Sequence, residues 1–284
     1  MKNISSFVVK KEQEIVTAYR SVTAYAEYIT FLEAAVKDYY EKGTEKFYST
    51  FEEFGQTFTT EYDAVSVLTG MAAYRYWQAA VDFAAHPGKQ GYQQLLHALH
   101  YNIQALLKCE EEQKTDERIF STDIALYIIL ATIYFPEDVT SLLRYFSFYL
   151  EEKKDLMNAP LYAGLLGKKD VIPLMVFVTA EAGIPLPDNN IKQYVHTDIA
   201  PAYRKAMEQL YSEDPAVVSA WISEMTEDHI AKSKDDWTLP FNHLTWQYFP
   251  VEIIALLVMR ARKGLSNDFI DNLLLNHFKP FMVP

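Results

Sequence analysis

VVSAWISEMTEDHIAKSKDD (Val217–Asp236), WTLPFNHLTWQYF (Trp237–Phe249) and PVEIIALLVMRARKGLSNDFIDNLLLN (Pro250–Asn276) follow one another without a gap, and their reading sets the class of the fold. The first segment is an amphipathic helix that ends in a charged turn containing His229. The second is a polar-aromatic loop. The third is a very apolar helix that stops at Gly264, followed by a short closing helix. Helical periodicity, not strand alternation, organises the segment.

The same period runs through the rest of the chain. Ile15, Ala18, Val22, Tyr25, Ile29, Leu32 and Val36 step by threes and fours, which predicts one long helix over Glu14–Tyr40 closed by Gly43. Thr44 is read as the cap of a short helix to about Phe54. Further helices are predicted over Thr60–Ala85, Gln90–Glu112, Ser121–Phe135, Pro136–Lys154, Asp170–Ala182, Asp198–Tyr211, Pro215–Ser233, Pro250–Lys263 and Asn267–Phe278, with Asp155–Gly167 short and broken by Pro160. The expectation is an all-α fold, an irregular multi-helix bundle or helical-pair array of about ten to twelve helices. It forms either a single domain over 1–284 or two packed halves with a boundary near 184–190, where Gly183 is followed by Ile184-Pro185-Leu186-Pro187. No repeat of fixed length recurs.

Composition narrows the function. The 284 residues are 50% hydrophobic, ample for a core. The formal net charge of -12 disfavours direct binding of nucleic acid and of anionic membranes, and favours a basic partner protein or plain solubility. Cys109 is the single cysteine, so no disulfide can form within the chain, which fits a reducing cytoplasm. The N-terminal apolar run Phe7-Val8-Val9 is too short for a signal peptide, and the stretches Ala125–Phe135 and Ile253–Met259 are too short to span a membrane.

Chemistry-bearing motifs are scarce. His97 and His100 lie three apart on one helix and could supply two metal ligands, but no carboxylate occupies positions 93, 94, 96, 103 or 104, so packing histidines are the simpler reading. Glu224, Glu227 and His229 lack the Glu-x-x-His spacing of di-iron bundles. Asp235-Asp236 lacks the third carboxylate of a magnesium motif, and Asp228 and His229, adjacent on a helix, point about 100° apart. Phosphate-loop, dinucleotide and nucleophile-elbow patterns are missing. Neither a catalytic residue nor a cofactor is expected.

Candidate partner-binding residues are the acidic run Glu110, Glu111 and Glu112, the turn residues Glu227, Asp228, Asp235 and Asp236, and Trp237, Trp246 and Tyr248 of the loop. Trp and Tyr are common hot-spot residues, and burial of the loop against the last helices accounts for them equally well.

The order of these C-terminal features resembles an all-helical immunity protein family of bacterial polymorphic toxin systems, immunity class forty-nine. Its carriers are the helix with the late His229, the polar loop, the apolar helix ending in Arg260 or Arg262 and Gly264, and the closing Asp268, Asp271 and Leu273–Leu275. Ala64–Pro87 and Asp123–Tyr134 are similar to that family's earlier helices, with its Trp displaced to Trp77. Tyr248-Phe249-Pro250 is also similar to a second helical immunity family. The resemblance implies a cytoplasmic protein that neutralises a cognate toxin by tight binding, a basic nuclease being one toxin its charge would suit. The rivals are a helical scaffold or peptide-binding regulator, and an all-helical metal- or isoprenoid-dependent enzyme.

Overall fold

The structure is a computed structural model, and it describes residues 2–116, 118–155, 171–195, 199–236 and 238–282. The chain is all-α, with twelve α-helices among the described residues and a single two-stranded antiparallel sheet. The order is α1 (Lys2–Thr23), α2 (Ala26–Lys42), β1 (Lys46–Glu53), β2 (Gln56–Asp63), α3 (Ala64–Ala85), α4 (Lys89–Glu111), α5 (Ser121–Tyr134) and α6 (Val139–Glu152). Then come α7 (Val171–Glu181), α8 (Asn190–Gln193), α9 (Pro201–Glu208), α10 (Pro215–Lys232), α11 (Leu244–Tyr248), α12 (Val251–Arg262) and a 3-10 turn at Lys279–Phe281.

Two compact units share the chain. One is built from Gln13–Glu112, the other from Met1–Glu12 together with Gln113–Pro284. The division does not fall near 184–190 as the Pro-rich stretch predicts. That stretch lies within the second unit, where Asp188 and Asn190 both bond the Ser147 hydroxyl on α6, at 2.5 and 3.2 Å. A breaker sequence marks a turn, and here the turn is tied down by side chains.

In the unit from Gln13 to Glu112, α3 and α4 form a helical hairpin turned by His86-Pro87-Gly88. Asp63 caps α3, accepting the Ser66 N–H at 2.8 Å. The helix α2 packs on α3 so closely that a Cβ at Gly70 would meet the Tyr28 hydroxyl at 3.0 Å and Leu32 at 3.1 Å. Leu32, Ala35, Val36, Phe47, Ala64, Val67 and Met71 form this core, ringed by Tyr28, Phe31, Tyr39, Tyr62, Tyr74 and Tyr101. Gly43 closes α2 in the left-handed conformation, φ 67°, its N–H bonding the Tyr39 carbonyl.

The predicted helix over 14–40 is two helices, broken at Ala24–Tyr25, and the predicted helix over 44–54 is strand β1. The strands carry Phe47, Tyr48, Thr50, Phe51, Thr57, Phe58, Thr59, Thr60 and Tyr62, aromatic and β-branched residues that suit a pleated surface better than a helix.

The second unit is organised around α5, buried on every side from Ser121 to Ile133 as a helix without a polar stripe must be. It packs against α6, α7 and α12. Asp123 secures its first turn, its Oδ2 accepting the Phe120 N–H at 3.1 Å. Helix α12 ends with Gly264 at φ 78° and the Leu265 N–H bonding back to the Arg260 carbonyl. The closing segment predicted as a helix over 267–278 is a succession of turns. The predicted short element over 155–167 lies outside the described residues after position 155.

Candidate binding surface

The C-terminal segment proves to be a buried polar network. His229 and Glu252 are 0% and 1% exposed, with Nδ1 and Oε1 2.7 Å apart. The other ring nitrogen of His229 faces the Gln247 carbonyl at 3.2 Å. Both nitrogens therefore face oxygens, one of a carboxylate and one of a backbone carbonyl. The Gln247 side chain accepts from Lys11 at 2.6 Å and donates to the carbonyls of Phe241 and Asn242. Arg260, 1% exposed, donates to the carbonyls of Leu210 and Ser212 and to Asn267, and burial lowers its pKa. These groups hold loops onto helices. The cavity beside Lys11, Gln247 and Tyr248 measures about 10 Å³, too small for a substrate.

The aromatic loop is part of that interior. Trp246, 1% exposed, donates Nε1–H to Asp123 at 3.0 Å and stacks edge-on to Tyr127. Tyr248 is 4% exposed and Phe241 fully buried. Of the two readings of the loop, burial holds for Trp246 and Tyr248, and neither can act as an exposed hot spot. Trp237 lies outside the described residues. Asp235, Asp236 and Glu227 are exposed. Hydrogen bonds from the Thr238 hydroxyl and N–H lower the pKa of Asp236, while Asp228 is ion-paired with Lys232 at 2.8 Å. The acidic run serves a neighbour. Lys108, only 5% exposed, meets Glu45 at 2.7 Å, Glu111 at 3.2 Å and Glu112 at 3.5 Å. Its pKa is raised, first by the Glu45 hydrogen bond. The half-buried Glu110 also has partners of its own. The run thus compensates a buried ammonium ion.

What the surface does expose is the β1–β2 hairpin. Its register is unbroken from Lys46↔Asp63 to Glu53↔Gln56, with Phe54-Gly55 as the two-residue turn. Both turn residues have positive φ, 52° and 74°, as a type I′ turn requires. On one face Phe47 and Tyr62 root the hairpin in the core, and further out Phe51 and Phe58 stack at 5.6 Å while remaining 43% and 40% exposed. On the other face Lys46 and Tyr48 both donate to Glu61, at 2.8 and 2.9 Å, and hold its carboxyl below the usual range. Phe54 at the tip is 94% exposed. Lys46 pairs with Glu61 and Glu45 with Lys108, while Glu52 and Asp63 add further negative charge, so the aromatic surface has acidic flanks.

None of these hairpin residues was a sequence-based candidate. Their signal was present in the β-branched and aromatic runs on either side of Phe54-Gly55.

A cleft of about 340 Å³ lies between α3 and α4, lined by Arg75, Gln78, Ala79, Asp82, Gln94, His97 and Tyr101. Partial burial, then the charges of His100 and Arg75, lower the pKa of His97. His100 bonds Gln104 at 3.1 Å. Among the described residues no group of three or more His, Cys, Asp or Glu side chains is placed to hold a metal ion. Nor is any helix there long and apolar enough to cross a membrane. No family model, no curated protein and no solved structure matches the chain.

Proposed function

We propose that this chain is a cytoplasmic, non-enzymatic binding protein, an immunity protein that neutralises a cognate toxin and contacts it through the β1–β2 hairpin. The observation that carries the reading is Phe54, 94% exposed in a left-handed conformation. That conformation costs an L-residue about 1–2 kcal/mol, and the exposed ring recovers almost nothing by burial. A residue that disfavours its own turn and stays in water has no folded-state reason to be aromatic, whereas interfaces are rich in such side chains.

The flanking acids support a basic partner, and a basic nuclease toxin is the class this field would steer in fastest. The order of features from His229 to Leu275 supports the immunity reading through its resemblance to immunity class forty-nine. The scaffold reading shares the hairpin but not that resemblance. Expressing the neighbouring open reading frame in a bacterial host, with and without this chain, tests the proposal. Death without it, survival with it and a purified complex are expected; a harmless neighbour or the lack of a complex refutes the reading.

The α3–α4 cleft favours one second reading, an enzyme acting on a small polar substrate between Arg75, Asp82 and His97. Metal analysis of the purified chain and survival of the rescue in Arg75→Ala separate the two.

A further inference from the structure

The main chain of the hairpin is as open as its side chains. In a two-residue hairpin the pair flanking the turn is hydrogen-bonded, and bonded and non-bonded pairs alternate from there. The register therefore bonds 53 to 56, 51 to 58, 49 to 60 and 47 to 62. At the pairs between them, Tyr48, Thr50 and Glu52 on β1 and Thr57, Thr59 and Glu61 on β2 direct N–H and C=O away from the partner strand. Among the described residues, no backbone bond joins residues 46–62 to any other segment. Exposed edges are ordinarily blunted by proline, by a bulge or by charge, lysine above all, and the charges Glu52 and Glu61 on these edges turn away a like edge but not a basic strand. Lys46–Asp63 contains no proline, its ladder has no bulge, and its one lysine is occupied by Glu61.

We infer that the hairpin takes its partner by strand addition: an extended, basic segment of the partner protein pairs with one of the two open edges, while Phe54, Phe51 and Phe58 contact its surface. This rests on the reading of the hairpin as the binding surface and adds how it binds. Each eight-residue strand spans about 27 Å, room for a full partner strand. Charge selects the occupant. A second copy of this chain would set acidic edge against acidic edge, whereas Lys and Arg on an incoming strand would meet Glu52 on β1 or Glu61 on β2.

The test uses the full chain and the purified product of the neighbouring open reading frame. Hydrogen exchange of the unsubstituted chain, free and bound, is the deciding measurement. The outward amides of one strand, Tyr48, Thr50 and Glu52 or Thr57, Thr59 and Glu61, should become protected. Thr50→Pro and Thr59→Pro each delete one outward donor and leave the ladder bonds in place. The variant on the paired edge should bind about tenfold more weakly or worse, and Thr50→Ala or Thr59→Ala at the same position should bind like the parent. Protection of Ser49, Phe51, Phe58 and Thr60 in the free proline variants reports whether the hairpin survives, and where it does not, exchange in the unsubstituted chain decides alone. If a complex forms, Phe54→Ala weakens it and the outward amides of both strands still exchange freely, strand addition is wrong and the surface reading stands. Absence of any complex refutes both.

Discussion

Replacing Phe54 by Asn should make the hairpin more stable and the protein worse at its task. The turn needs positive φ at both central positions, and Phe54-Gly55 supplies it at 52° and 74°. Gly55 adopts it freely and Phe54 does not. The left-handed conformation costs an L-residue about 1–2 kcal/mol, while Asn visits it readily through local hydrogen bonding. At 94% exposure Phe54 has almost no burial to lose, so nothing offsets the relief. A gain of about 1 kcal/mol in closing the hairpin slows exchange through local opening about fivefold. The amides to follow are those of Ser49, Phe51, Phe58 and Thr60, which lie inside the ladder; the outward amides of Thr50 and Thr59 serve as the fast-exchanging reference. The same variant should bind its partner more weakly. Inner amides that exchange as fast as in the parent, or faster, would show that the turn carries no strain. An undiminished affinity would show that the ring is not part of the contact.

Three further outcomes follow from the packing. His229→Ala leaves Glu252 buried and unpaired and should cost about 3–5 kcal/mol in urea unfolding followed by circular dichroism, whereas His229→Leu with Glu252→Leu should cost far less than the two single changes together; additive costs would refute the coupling. Trp246→Phe removes the donor to the buried Asp123 and shrinks a fully packed ring, and should cost upward of about 1–3 kcal/mol with no loss of partner affinity, since the ring is interior. His97 should titrate by NMR with a midpoint below about 6.5, the ordinary histidine value. The unfolded state then binds that proton more readily, so this group's contribution to stability is present above that value and is lost as pH falls through it toward the folded midpoint. Arg75→Gln should move the midpoint back up, and an unmoved midpoint would discount the guanidinium as a cause.

The helices were legible where punctuation and periodicity agreed. Gly43, Pro136 and Gly264 end helices in the structure as they do in the sequence, and the unbroken apolar run from Ile124 announces a helix buried on all sides. The break at Ala24–Tyr25 has no glycine or proline to signal it. The hairpin was hidden because Phe47 and Tyr48 are neighbours on opposite faces and the turn is Phe-Gly instead of the favoured Asn-Gly. The candidate surface suffered from the same cause. Trp246 and Tyr248 look like hot spots in a loop, and only the arrival of Asp123 and Phe278 from distant positions makes them interior. Glu45 reaches Lys108 across 63 residues, so the role of the acidic run could not be read locally. Glu252 did carry a signal, a lone acid inside the apolar helix PVEIIALLVM, whose natural reading is a buried pair.

The bond between Lys11 and Gln247 joins residues 236 apart and belongs to a unit whose first twelve residues precede the other unit entirely. Ribosomes would make Gln13–Glu112, hairpin included, while Lys11 still has no Gln247 to meet. At ordinary elongation rates that wait is on the order of tens of seconds. The order of manufacture thus places the exposed hairpin early and the closure of the larger core last. Under the proposed reading, the binding surface is complete before Lys11 and Gln247 have met.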